Sequence, residues 1–252
     1  MAFRVAPERG KSALKPRLEE KGIGFLYPFI KDVKNIEALS RGLYGKMMLS
    51  ELGVMAAEGN TNEISMRRNA LAGFEALSGL HNSFMEKYAQ YSNMKNKLER
   101  FANAFYDMAK ENKLVYQAAS SSVLKCINES RMDCDISTFL AMQLASEVGI
   151  TLKAVSIPPQ VNGGIGHIAC VQIDEPNGTR KFFDVFLCLV NQTLDGKYDA
   201  QRLKGVILKN ALCSENVFES RYPKFTIIES GEELNTREHI LDLDMQIKKL
   251  MK

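Results

Sequence analysis

RMDCDISTFLAMQLASEVGITLKAVSI, residues 131–157, joins two hydrophobic periods within one short stretch. Ile136, Phe139, Leu140, Leu144 and Val148 recur at three- and four-residue steps, which is one face of an amphipathic helix, and Gly149 supplies its stop. Thr151 to Ile157 is rich in β-formers and is closed by Pro158 and Pro159, so the helix that opens at Cys134 runs almost directly into a strand. Downstream, Gly163 to Gly166 (GGIG) predicts a loop and His167 to Ile173 an alternating strand. Glu175, Pro176, Asn177 and Gly178 turn the chain into a second strand, Arg180 to Val190, completing a β-hairpin. Upstream, Tyr116 to Glu129 has helical texture.

Towards the N-terminus the pattern is helical throughout. Ile36, Leu39, Leu43 and Met47 predict one long helix between Asp32 and Ala57, interrupted by Gly59 and Asn60. Asn62 or Thr61 is placed to cap a second helix with the stripe Leu71, Phe74, Leu77, Phe84 and Tyr88; Met94, Leu98, Phe101, Phe105 and Met108 mark a third. These Met and Phe stripes are read as core, without chemistry of their own. Towards the C-terminus, Phe225 to Ile228 predicts a strand, and Ile240, Leu243, Ile247 and Leu250 a final helix that Asn235 and Glu238 start as a capping pair. The expected fold class is α+β: a helical bundle over residues 1–112, suited to docking a substrate or partner, then a catalytic domain over 113–252 with an antiparallel sheet.

Composition narrows the function classes. The chain has 252 residues, 45% hydrophobic and 25% charged, with no run approaching the ~18 uncharged apolar residues of a membrane span. Thirty-three Lys and Arg against 30 Asp and Glu leave a net charge of +3, short of the basic surplus expected of a phosphate-backbone binder, so no nucleic-acid partner is expected. The basic start MAFRVAPERGKSALKPR runs into LEEKG instead of an apolar core, which argues against a Sec signal peptide. Five cysteines, none in a CxxC pair, fit a reducing compartment. The expected location is therefore cytoplasmic, or a destination reached by signal-peptide-independent secretion.

Chemistry concentrates in three residues. Cys134 opens a helix, where unpaired N–H groups and the helix dipole favour a thiolate. His167 follows the glycine loop, and Asp184 lies in the next strand. If Asp174 pairs with Thr179, His167 falls opposite Phe186, and Asp184, two positions off, shares its face at a diagonal of about 7–8 Å. An imidazole and a carboxylate bridge that gap, giving an ordered Cys-His-Asp set for nucleophilic catalysis. Cys170 points to the opposite face and, with Cys188, reads as core. Zinc held by the same three residues is the weaker reading, because no close ligand pair supports it; no metal or cofactor is expected. Gly10-Lys11-Ser12 imitates the end of a phosphate loop but lacks the glycine required at position 5, where Val5 stands.

Arg131-Met132-Asp133-Cys134-Asp135 followed by FLAMQLASEVGITLKAV, then GHIACVQID and KFFDV, resembles the transglutaminase-like core of bacterial cysteine enzymes, related to papain-like peptidases. The resemblance spans roughly residues 116 to 190. It implies Cys134 as nucleophile, His167 as base and Asp184 as orienting acid, with a second oxyanion donor from upstream of the nucleophile, where Gln117 and Asn128 are the available amides. Animal transglutaminases place Trp after the cysteine, whereas this chain has no Trp and carries Asp135 there, so acyl transfer between proteins is not implied. The expected activity is thiol hydrolysis of a peptide, isopeptide or glutamine side-chain amide in a protein or peptide substrate. The alternatives are glutamine deamidation or transamidation of a protein partner, or a non-catalytic interaction module on the same fold.

Overall fold

The computed structural model describes residues 15–16, 19, 24–34, 36–57, 62–117, 122–159, 166–174, 178–190 and 199–228. The fold is α+β. After a turn of 3-10 helix at Gly24–Leu26, the helices are α1 (Tyr27–Ile30), α2 (Ile36–Arg41), α3 (Leu43–Ala57), α4 (Glu63–Gln90) and α5 (Lys97–Glu111). Strand β1 (Val115–Tyr116), helix α6 (Val123–Glu129), strand β2 (Arg131–Met132) and helix α7 (Cys134–Glu147) follow. The remainder is β3 (Lys153–Ile157), β4 (His167–Asp174), β5 (Thr179–Phe183), α8 (Phe186–Val190), α9 (Ala200–Ala211), β6 (Leu212–Ser214), α10 (Glu215–Arg221) and β7 (Thr226–Ile227). β3 to β7 form one antiparallel sheet in the order β6-β5-β4-β3-β7, and β1 pairs with β2 in a separate parallel ladder.

Local chemistry sets several boundaries. Asn62 Oδ1 accepts from Ser65 N at 2.8 Å, and Asn96 Oδ1 from Leu98 N and Glu99 N, so each asparagine caps the long helix that follows it. Helix α7 is started by Asp133, whose Oδ1 accepts from Ile136 N at 2.9 Å, and Gly149, at φ +70°, lets the chain leave it. The β4–β5 hairpin has the expected register, Asp174 opposite Thr179 and Cys170 opposite Phe183.

The segment expected as one helix over 32–57 is two, α2 and α3, broken at Gly42. Gln143 of α7 occupies that break: its Oε1 accepts from Tyr44 N at 2.8 Å and Gly45 N at 3.2 Å, capping α3 from a remote part of the chain. A Cβ at Gly42 would lie 2.2 Å from Gln143 Cδ, so any side chain there has to displace the Gln143 amide from its cap. The helix expected over 116–129 is confined to Val123–Glu129. Ser122 Oγ caps it by accepting from Lys125 N, and the preceding β1 is drawn into its ladder by Val115 N to Ser130 O and Gln117 N to Met132 O. The strand expected to reach Val190 stops at Phe183. There Asp184 N turns to Ala211 O at 2.8 Å, and Leu187 N and Cys188 N bond back to Asp184 O and Val185 O as α8 begins. Asp184 therefore sits just past the end of β5, not within it.

The sheet has two covered faces. Ala154, Cys170 and Phe183 belong to the main core beneath α7, where Thr138 Oγ1 donates to Ile168 O at 3.3 Å. Val155, Ala169, Val171 and Phe182 form a smaller cluster on the other face, capped by Phe218, whose ring stacks on Phe182 at 4.1 Å. The main core is continuous across residue 112. The rings of Phe101 and Phe105 in α5 meet Phe183 edge-on at 5.8 and 6.0 Å, and Glu51 of α3 accepts from Ser122 Oγ and Leu124 N. Among the described residues no helix is long and apolar enough to cross a membrane. The final helix expected over 235–250, the glycines at 163 and 164, the turn at 175–177 and the residues 10–12 lie outside the described residues.

Candidate active site

Three pieces of local structure converge at the N-terminal end of α7. Asp133 caps the helix, Cys134 is its first residue, and β4, which packs on α7, begins with His167. The backbone of Ile168 hydrogen-bonds to the Cys134 sulfur, which places the thiol beside the residue following His167. The thiol also donates to Asp135 Oδ1 at 3.4 Å.

His167 Nε2 lies 2.9 Å from Asp184 Oδ1. Against a carboxylate acceptor that nitrogen carries the proton, which leaves Nδ1 as the ring's acceptor. Asp184 is 0% exposed and the His167 side chain 15%, so the pair is largely removed from water. Burying a carboxylate requires partners for both oxygens. The second is supplied by Tyr222, whose hydroxyl donates to Asp184 Oδ2 at 2.9 Å. The imidazole sits between two rings, Phe186 at 5.3 Å and Tyr222 at 5.7 Å between centroids, and Tyr116 closes on Phe186 edge-on at 4.5 Å. Burial, followed by the charges of Cys134, Asp133 and Asp135, raises the Tyr116 phenol, so that residue belongs to the same neighbourhood.

The expectation that the helix start would favour a thiolate is overturned. Burial first, then the charge of Asp135, push the Cys134 thiol up to about 12, opposed by the Ile168 backbone bond. Loss of water and the adjacent acid both disfavour the thiolate. The resting group is therefore a thiol, and any proton acceptor has to remove its proton during reaction. Cys170 and Cys188 are buried, and both thiols are raised, first by burial and then by the charge of Asp184.

Of the two upstream amides, Gln117 is at the site's edge. Its backbone N–H donates to Met132 O, two residues before Cys134, and its side-chain Oε1 accepts from Arg131 Nη1 at 3.2 Å. Asn128 is exposed in the last turn of α6. Sequence reasoning missed Tyr222, which lies in a segment from which no element was read. Asp199 capping α9 through Arg202 N, and the spacing of Leu203, Ile207 and Ala211, were the available helix signals there. Nothing local marks Tyr222, because its partner Asp184 is distant along the chain.

Comparison with known protein families, curated proteins and solved structures gives no match.

Proposed function

We propose that this chain is a cysteine hydrolase of papain-like or transglutaminase-like architecture, acting on an amide carbonyl of a peptide or protein. The observation that carries the reading is the 2.9 Å bond between buried Asp184 and His167, which opens the strand whose next residue hydrogen-bonds to the sulfur of a helix-opening cysteine. On this reading Cys134 is the nucleophile, His167 the base and Asp184 the group that orients the base. A helix packed on an antiparallel sheet, with the histidine on the strand after the helix's own strand, supports the fold assignment.

In the first step Nδ1 of His167 takes the thiol proton as Sγ bonds to the carbonyl carbon. For that transfer the sulfur has to leave Asp135 Oδ1, its hydrogen-bond partner at rest, and reach the imidazole. The carbonyl oxygen takes up the negative charge and is met by the N–H of Cys134, a helix-start donor without an intrahelical partner, and by the Gln117 amide. The C–N bond then breaks, the leaving amine takes the proton from His167, and a thioester remains on Cys134. Water, deprotonated by Nδ1, attacks the thioester, releases the acid and restores the thiol. Glutamine deamidation follows the same steps with ammonia as the leaving group, and transamidation replaces water by an amine. Asp184 holds the imidazole in the required tautomer and stabilises its charged form.

A second reading, a non-catalytic module that retains the fold, is favoured by the raised Cys134 thiol. Reaction with p-nitrophenyl acetate separates the two. The hydrolase reading expects a nitrophenolate burst and an acetyl thioester on Cys134 located by mass spectrometry, lost in Cys134→Ala and slowed at least about a hundredfold in His167→Ala. Acetylation no faster at Cys134 than in denatured protein would establish the non-catalytic reading.

A further inference from the structure

We propose that Tyr222 is a positioning residue for His167, acting through Asp184: its hydroxyl fixes the carboxylate so that the other oxygen holds the imidazole for proton transfer. The inference rests on the hydrolase reading above and extends its three residues to a fourth, contributed by the C-terminal end of α10. Asp184 has no exposed surface, and its main chain is already tied to Ala211 by the bond from its N–H. With the backbone fixed, the side chain keeps two torsions, χ1 and χ2, and χ2 decides which way the carboxylate oxygens face. Oδ1 meets His167 Nε2 and Oδ2 accepts from Tyr222, so the two bonds at opposite oxygens define that angle. A hydrogen bond to a buried charge is among the stronger kinds, because neither partner can fall back on water.

Tyr222 is itself well held without its hydroxyl. Its backbone N–H donates to Phe218 O at 2.9 Å, its ring packs on Phe218 at 4.9 Å, and the same ring forms one wall of the imidazole's slot. The hydroxyl can be deleted while the ring stays. Burial and Asp184 hold the phenol above its ordinary value, so it remains a protonated donor wherever the pair works. Loss of the hydroxyl leaves Oδ2 buried and unpaired, and the carboxylate then rotates or draws in water, loosening the imidazole.

The test is Tyr222→Phe in the full chain, alone and with Asp184→Asn, read by two methods. The rate of Cys134 acetylation by p-nitrophenyl acetate should fall about tenfold in Tyr222→Phe, the loss expected for one hydrogen bond to a charged group. In the Asp184→Asn background the same substitution should change the rate less than about twofold, because the path from Tyr222 to His167 is already cut. Equal slowing in both backgrounds, or none in either, overturns the proposal. The second readout needs no reaction. The His167 Nε2 proton, followed by NMR in 15N-labelled protein with native circular dichroism, should exchange with solvent at least about tenfold faster in Tyr222→Phe; an unchanged rate overturns the proposal. If the wild-type chain does not acetylate at Cys134, the hydrolase reading fails, and the proton-exchange result decides the role of Tyr222 by itself.

Discussion

Replacing Asp135 by Asn should make Cys134 react faster with an alkylating agent, and the geometry sets the size of the gain. The thiol sulfur and Oδ1 are 3.4 Å apart. At that separation a thiolate and a carboxylate repel by ~1.2 kcal/mol if water screens them fully and by ~4.9 kcal/mol at an effective dielectric of about 20. Both residues are partly exposed, which sets the value near the lower figure. Removing ~1.2 kcal/mol raises the thiolate fraction about eightfold at any pH well below the thiol's value. A less basic thiolate is also a poorer nucleophile, with a slope of about 0.4–0.5, so the net gain in rate is about threefold. The assay is iodoacetamide labelling of Cys134 at pH 8, followed by peptide mass mapping, with circular dichroism to show that the helix survives loss of an acid from its first turn. Asp133→Asn keeps the cap, since Asn and Asp cap equally well, and removes a smaller repulsion, so its gain should be less. An unchanged or slower rate in Asp135→Asn, or a larger gain in Asp133→Asn, would refute the contribution assigned to Asp135, second to burial, in raising the thiol.

Deleting residues 1–112 should yield insoluble protein, because Phe183 loses the rings of Phe101 and Phe105 and Ser122 loses Glu51; a soluble, cooperatively melting fragment would show that the C-terminal part has a core of its own. Gln143→Ala removes the remote cap of α3 and should cost ~1–2 kcal/mol, a fall of about 2–8 °C in Tm, with no loss expected only if water replaces both bonds. Tyr44 has a buried hydroxyl without a hydrogen-bond partner among the described residues, so Tyr44→Phe should raise Tm, and a lower Tm would reveal a partner such as a bound water. Cys170 and Cys188 hold their protons more tightly folded than unfolded, where the ordinary value is 9.0, so their contribution is complete below that pH and fades as pH rises above it. The free energy of unfolding should accordingly fall from pH 9 upward, by up to about 1.4 kcal/mol per pH unit for each thiol, and Tm with it; a flat Tm to pH 11 contradicts the assignment.

What the sequence discloses here is whatever is local. The turn at Gly149, a cap at Asn62 or Thr61, which the structure gives to Asn62, and the pairing of Asp174 with Thr179 follow from neighbouring residues and are legible as such. Gly42 reads as an ordinary helical glycine until Gln143, from a distant part of the chain, is seen inside the break. FLCLV after Asp184 is apolar on every side, so periodicity cannot tell α8 from a continued strand. In the site, residue types and order pointed to His167 and Asp184, and the bond between them is present, although strand parity assumed a longer β5 than exists. The direction of the thiol's shift depends on burial, which no spacing records, and Tyr222 depends on a tertiary contact alone.

Asp184 takes its place from chain that comes well after it. Its N–H is held by Ala211, at the end of α9, and its carboxylate by Tyr222, beyond α10. A transplant of residues 116–190 into another scaffold would carry the cysteine, the histidine and the aspartate, yet leave the aspartate without either anchor. The smallest portable unit of this site therefore runs at least to residue 222. Insertions engineered between α8 and α9 have to preserve the return of that distant segment, since it closes the site from outside its own motif.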